Sequence, residues 1–99
     1  MELTKQLDKK TLTVSISGHI DATTAPDLEK MAKEEFNNCE KMIFDFAKVE
    51  YISSAGLRVL LSTHKLMSSK GGELVIRNVI GDVRNILDMT GFSGFLTIE

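Results

Sequence analysis

A chain of 99 residues, 42% apolar and 26% charged, suffices for one globular domain with a modest core and is too short for two. Its net charge of −2, with Lys and Arg scattered among acids in Lys30–Glu35 and Glu40–Asp45, leaves no basic stripe to neutralise phosphates, which argues against nucleic-acid binding. The single cysteine, Cys39, excludes an internal disulfide and suits a reducing compartment, and the opening MELTKQLDKK lacks the apolar region of a secretory signal. No run approaches the ~18 apolar residues of a membrane span, so a cytoplasmic protein without membrane association is expected.

Leu3 and Leu7 flank polar positions, and Leu12, Val14 and Ile16 alternate with Thr11, Thr13, Ser15 and Ser17, the period of two expected of half-buried strands joined by a turn at Asp8–Lys10. Gly18–Asp21 (GHID) leads into Thr24-Ala-Pro26-Asp27, where a Thr cap, a Pro and an acid mark a helix start, and Leu28, Met31, Ala32 and Phe36 form its apolar face. Met42–Phe46 (MIFDF) is nearly continuously apolar, as in a central strand covered on both faces. The loop Ala47–Ser54 follows, then a helix from Ser54 with a stripe of Leu57, Leu60 and Leu61, His64 at the edge of that stripe, and a stop at Lys70-Gly71-Gly72. Glu73–Arg77 reads as a strand. Val79, Val83, Ile86, Leu87 and Thr90 make a further helical face with Asp82 in its early turns and Gly91 after it, and Phe95–Ile98 reads as the closing strand.

This order, with a βαβαβ C-terminal half, predicts an α/β domain over residues 1–99 whose mixed central sheet has about five strands and helices packed on it. Open α/β sheets bind their partners where strands hand over to helices at the strands' carboxyl ends. Two such places stand out, Ala47–Ser54 and Gly18–Thr24, and they are expected to face each other.

The first of these lies in the stretch Asp45–Leu61, DFAKVEYISSAGLRVLL, which delivers Ser53 and Ser54 to a helix start. One reading of the pair is an N-cap, for which serine is a preferred residue. The other is a modified or liganded serine, because unpaired N–H groups at a helix start favour an anion, including a phosphate on the serine itself. Gly56 costs a helix roughly 1 kcal/mol and therefore implies either a close approach by a partner or tight packing against the sheet. A catalytic role for Ser54 needs a base. His64 lies ten residues along the same helix, about 15 Å away by helical rise, which leaves His19, oriented by Asp21, as the remaining candidate. No G-x-S-x-G elbow surrounds the serine, so a serine hydrolase is a remote reading. Cys39, His19 and His64 have no metal-ligand spacing and no phosphate-binding glycine loop is present, so neither a metal nor a cofactor is expected. Met67 and Phe92 are read as packing residues, and Lys9-Lys10 as a solvated turn.

The segments GHID (18–21), ISSAGLRVLL (52–61), GGEL (71–74) and VRNILDMTGF (83–92) together resemble the STAS domain family, specifically the bacterial anti-sigma-factor antagonists, over almost the whole chain. The resemblance implies a non-enzymatic partner switch. Unphosphorylated, such a protein binds an anti-sigma factor that is also a serine kinase, an ATPase of histidine-kinase-like fold, and so frees a sigma factor. Phosphorylated, it releases the kinase until a phosphatase resets it. By position in the motif the phosphoacceptor falls on Ser54, with Ser53 the alternative, and Asp21 matches the acid of the neighbouring loop. The implied docking surface comprises Asp21, Ala22, Thr23, Ser53, Ser54, Ala55, Gly56, Leu57 and Arg58, on a protein that is monomeric when free. The chain departs from the pattern in three places: Ser53 stands where many antagonists carry Asp, Arg58 where several have a small residue, and many relatives continue past the position of Glu99 into a final helix. The alternative reading is a STAS binding or scaffold module, for a nucleotide or within a signalling assembly, that is never phosphorylated.

Overall fold

The computed structural model describes all 99 residues. The alternating N-terminal segments form β1 (Glu2–Asp8) and β2 (Thr11–Ile20), paired antiparallel from Glu2↔Ser17 to Asp8↔Thr11 across the Lys9-Lys10 turn. From β2 onward every strand is reached through a helix: α1 (Ala25–Glu35), β3 (Lys41–Ile52), α2 (Ser54–Ser69), β4 (Glu73–Arg77), α3 (Gly81–Met89) and β5 (Thr97–Ile98). The sheet runs β1-β2-β3-β4-β5, with β2 to β5 mutually parallel. It is the expected mixed five-strand sheet, and the order of elements is the expected one.

Strand register fixes which side chains share a face. Leu12↔Met42↔Leu74 and Val14↔Phe44↔Ile76 stand in rows across β2, β3 and β4, and all six are in the main core. Leu28, Met31 and Ala32 of α1, Val59, Leu60 and Met67 of α2, and Val83 and Leu87 of α3 belong to the same core. The three helices therefore cover one face of the sheet. The rows on the other face, Thr13↔Ile43↔Val75 and Ser15↔Asp45↔Arg77, lie outside that core.

Four local expectations need correction. The strand expected to end at Phe46 continues to Ile52, so the loop expected at Ala47–Ser54 shrinks to Ser53 alone. The reason is a pair of register shifts against β2, between Ser15 and Ser17 and between Gly18 and His19, at each of which β3 carries an extra residue. Such bulges break the period of two, and the buried residues become Phe46, Val49 and Ile52 at intervals of three. In α2 the buried face is Gly56, Val59, Leu60, Thr63 and Met67, while Leu57, Leu61 and His64 are half-buried. Val79 is buried but precedes α3, which starts at Gly81. The closing strand is only Thr97–Ile98, because Phe92–Gly94 forms a 3-10 turn whose Phe92 carbonyl accepts from the Phe95 and Leu96 N–H groups.

The expected stop of α2 is present as a Schellman motif: Gly71 has φ +78°, its N–H donates to Ser68 O at 3.1 Å and the Gly72 N–H donates to Met67 O at 2.8 Å. Met67 is fully buried and Phe92 half-buried, both as packing residues. His64 lies against the Phe95 ring at 5.4 Å.

Thr63 is the one polar residue in the fully buried set, and its hydroxyl has no hydrogen-bond partner. An unpartnered buried hydroxyl costs about 1–3 kcal/mol, and valine reproduces its shape at similar helix propensity. Thr63→Val should therefore raise the urea midpoint at unchanged m-value, corresponding to about 1 kcal/mol of added stability. A lower midpoint would show that the hydroxyl is satisfied in solution.

Candidate functional site

The two hand-over points expected to face each other are held side by side by the ladder itself. Ile20 and Ile52, the last residues of β2 and β3, are paired, and the Ser53 N–H donates to the Ile20 carbonyl at 2.8 Å, one step past the strands. Asp21 and Ser54 therefore leave the sheet from adjacent positions. Gly56 closes the junction. A Cβ built there would lie 2.6 Å from Ile52 Cγ1, 2.8 Å from Ile20 Cγ2 and 3.1 Å from the Ile20 carbonyl oxygen. Of the two readings of Gly56, tight packing against the sheet is what the structure displays, and its backbone points inward instead of toward a partner.

The first loop is wound around Asp21. Its Oδ1 accepts from the Thr23 hydroxyl at 2.7 Å, from the Thr23 N–H at 3.0 Å and from the Thr24 N–H at 3.2 Å. Thr24 does not cap α1 with its side chain as expected. Its hydroxyl accepts from the Asp21 N–H at 2.8 Å and donates to the His19 carbonyl at 2.9 Å, which ties the loop to the end of β2. The donors on the carboxylate, with the Thr23 hydroxyl foremost, hold the Asp21 pKa below the ordinary value. Ala22 and Thr23 are exposed at the tip of this turn.

The two serines differ in access. Ser53 takes the N-cap position of α2 with extended backbone, φ −94° and ψ 177°, yet its hydroxyl caps nothing. Its Oγ is buried and unpartnered. Ser54, the first residue of α2, is exposed, and Arg58 one turn on is exposed as well. Ala55 and Leu57 are half-buried. The first turns of α1 and α3 carry Asp27 and Asp82, whereas that of α2 carries no acid.

Between the starts of α1 and α2 runs a shallow groove of about 340 Å³, lined by Ala22, Ala25 and Pro26 on one side and Ala55, Arg58 and Val59 on the other, with Glu29 at its end. Ala25, Pro26, Glu29 and Val59 lie outside the surface expected from the sequence. The available signal was that Pro26 and Glu29 lie off the apolar face of α1, on the side that this loop turns toward α2. His19, the remaining candidate base, is exposed on β2 with its imidazole 3.2 Å from Glu50 and edge-on to Tyr51 at 6.1 Å. The Ser54 hydroxyl has no histidine partner. No three His, Cys, Asp or Glu side chains gather as they would around a metal ion, and no helix is long and apolar enough to cross a membrane.

A mostly parallel five-strand sheet with three helices on one face, and two adjoining turns at the carboxyl ends of β2 and β3, defines a small mixed α/β domain. The chain belongs to the STAS domain family, whose model matches residues 2–99. It is 32% identical over 90 residues to the anti-sigma F factor antagonist of Paenibacillus polymyxa, across 88% of this chain and 76% of that protein. An anti-sigma factor antagonist from Mycobacterium paratuberculosis shares the fold with a TM-score of 0.83 at 26% identity, over 98% of this chain and 83% of that one. SpoIIAA from Bacillus, in its unphosphorylated form, gives a TM-score of 0.80 over 99% of this chain and 87% of that one, a likeness of fold alone at 11% identity.

Two outcomes follow from this geometry. Gly56→Ala gains up to ~1 kcal/mol of helix propensity but overpacks a junction where such insertions typically cost 1–3 kcal/mol, and the contact with the Ile20 carbonyl cannot be relieved by a side-chain rotation. The expected net loss is about 1–2 kcal/mol in urea unfolding; unchanged stability would mean that the strand ends are soft. Asp21 should titrate below the ordinary aspartate value by NMR, and Thr23→Ala, which removes the foremost donor, should move it up toward that value. Because its folded pKa is depressed, the stabilisation it contributes is present above the unfolded value and lost as pH falls through the folded one.

Proposed function

We propose that this protein is an anti-sigma-factor antagonist of the partner-switching kind, cytoplasmic and monomeric when free. In the unphosphorylated form it binds an anti-sigma factor that is also a serine kinase and so releases a sigma factor. The kinase transfers the γ-phosphoryl group of ATP to Ser54 Oγ, with loss of the hydroxyl proton and release of ADP. A phosphatase returns the serine by hydrolysis to inorganic phosphate. The observation that carries this reading is the difference between the two serines: the Ser54 hydroxyl is open to a kinase, whereas that of Ser53 is buried. The relatives named as anti-sigma-factor antagonists support it.

The docking surface on this reading is formed by Asp21, Ala22 and Thr23 on one loop and by Ser53, Ser54, Ala55, Leu57 and Arg58 around the start of α2. Gly56 serves it from beneath, through the packing of the helix on the strand ends. Two opposed effects set the outcome of phosphorylation. A helix N-terminus favours an anion by roughly 0.3–1 kcal/mol, and the first turn of α2 has no acid competing for that field. In a complex the phosphate adds about −1.5 to −2 charges next to Asp21, and enclosing such a group without full compensation costs several kcal/mol. A loss of 2.7 kcal/mol already weakens binding about 100-fold. The larger effect wins, so the modified domain stays folded and the partner leaves.

Incubation with the cognate histidine-kinase-like ATPase and ATP should add one phosphate by intact mass in the wild type and none in Ser54→Ala, which keeps its binding. Ser54→Asp should bind at least tenfold more weakly. Phosphate gained by Ser54→Ala would move the acceptor to Ser53. Stable binding with no phosphate gained by the wild type would replace the switch with the scaffold reading.

A further inference from the structure

Of the three arginines, two are already engaged: Arg77 with Glu99 at 3.1 Å and Arg84 with Asp88 at 3.2 Å. Arg58 makes no ion pair, and Glu29, which lines the same groove, pairs with Lys33 at 2.8 Å. Arg58 is also the only cation on that groove. It sits four residues after Ser54 in the uninterrupted helix α2, and both residues are exposed.

Residues four apart on a helix have Cβ atoms about 5–6 Å from each other, and an anion on the N-terminal side of a cation is the favourable order. A guanidinium presents a planar fork of donors to a phosphate and binds it through two parallel hydrogen bonds. We infer that Arg58 is the internal receptor of the phosphate on Ser54, closing a phosphoserine–arginine pair across the first turn of α2. The inference rests on Ser54 as the phosphoacceptor.

The pair would act in the free protein. It meets part of the new charge inside the helix, which keeps the first turn intact although Asp21 stands on the adjacent loop. At the same moment it withdraws the one free cation from the groove. Phosphorylation would then change the docking face twice, by adding an anion at Ser54 and by occupying Arg58.

The test needs no kinase. Phosphoserine is installed at position 54 of the full chain by codon suppression, and the second ionisation of the phosphate, near pH 6 in the unperturbed group, is followed by 31P NMR. The charged groups around it are Asp21 from the β2–α1 loop, Glu29 from α1 and Arg58 from α2. His19, on β2, is unchanged in all variants. Pairing with Arg58 favours the dianion, so the wild-type value should lie about 0.5 pH unit below that of R58Q, equivalent to ~0.7 kcal/mol at 1.36 kcal/mol per unit. R58K, with a point charge in place of the fork, should fall between them, and the gap should close in 1 M salt, where the Debye length is about 3 Å. Equal values in wild type and a folded R58Q, verified by circular dichroism, would overturn the inference. A wild type that no cognate kinase modifies would instead overturn the assignment of Ser54 as acceptor, whatever the phosphate titration gives.

Discussion

The structure hinges on one close approach. The Ser53 N–H reaches the Ile20 carbonyl at 2.8 Å, and Gly56 lets the first turn of α2 rest directly on Ile20 and Ile52, where any Cβ would intrude. Because β2 and β3 are parallel, their carboxyl ends are at the same edge of the sheet. Two segments far apart in sequence, the Asp21 turn and the start of α2, thereby become a single surface. Core packing supplies the rigidity: α1 and α2 contribute to the same apolar cluster that covers β2 and β3, so neither helix start can shift without moving residues that are packed at the density of an interior.

Much of this was legible in the residues, and the misreadings have specific causes. Period-two alternation found β2 because its pairing with β1 is regular throughout. The same rule failed in β3 after Phe46, where two bulges change the interval between buried residues from two to three. The broken alternation reads as a loop, whereas the chain there is a strand bent by two extra residues. A leucine stripe puts the apolar face of α2 about one position away from where it lies, because the close approach at Gly56 turns Val59, Thr63 and Met67 inward and leaves Leu57 and Leu61 half-buried. Val79 fits a helical period, yet Asn78 with φ +62° and the extended Ile80 delay the helix to Gly81.

The site was more legible than the strand that carries it. A serine pair marked the helix start because serine suits an N-cap, and GHID marked the facing turn because Gly18 has φ +91° and Asp21 folds the turn onto its own carboxylate. Which serine is open was not legible, since both satisfy the preferences of an N-cap and only the orientation of the chain at Ser53, extended and pressed into the junction, hides one hydroxyl. The division of labour between Asp21 and Thr24 was inverted for a similar reason. Threonine is a common cap, but here its hydroxyl is used to fasten the turn to the His19 carbonyl, and the Asp21 carboxylate collects the free N–H groups instead.

A site built on such a junction suits a switch that works by charge. A mechanism requiring a large rearrangement would have to separate α2 from the strand ends, break the Ser53–Ile20 hydrogen bond and expose Ile20 and Ile52, which are almost entirely buried. Burying each such side chain is worth roughly 1.5–3 kcal/mol, far more than the 0.3–1 kcal/mol by which a helix terminus responds to a single anion. A modification at Ser54 therefore lacks the energy to unlock the fold from where it stands. It has ample energy to alter the surface potential that a partner meets, because an uncompensated charge within an interface costs several kcal/mol. The stiffness of the Gly56 junction and the exposure of Ser54 are thus complementary for the proposed switch: the first would keep a phosphate on Ser54 from being absorbed by movement of the helix, and the second would let its charge be felt by a partner docked there.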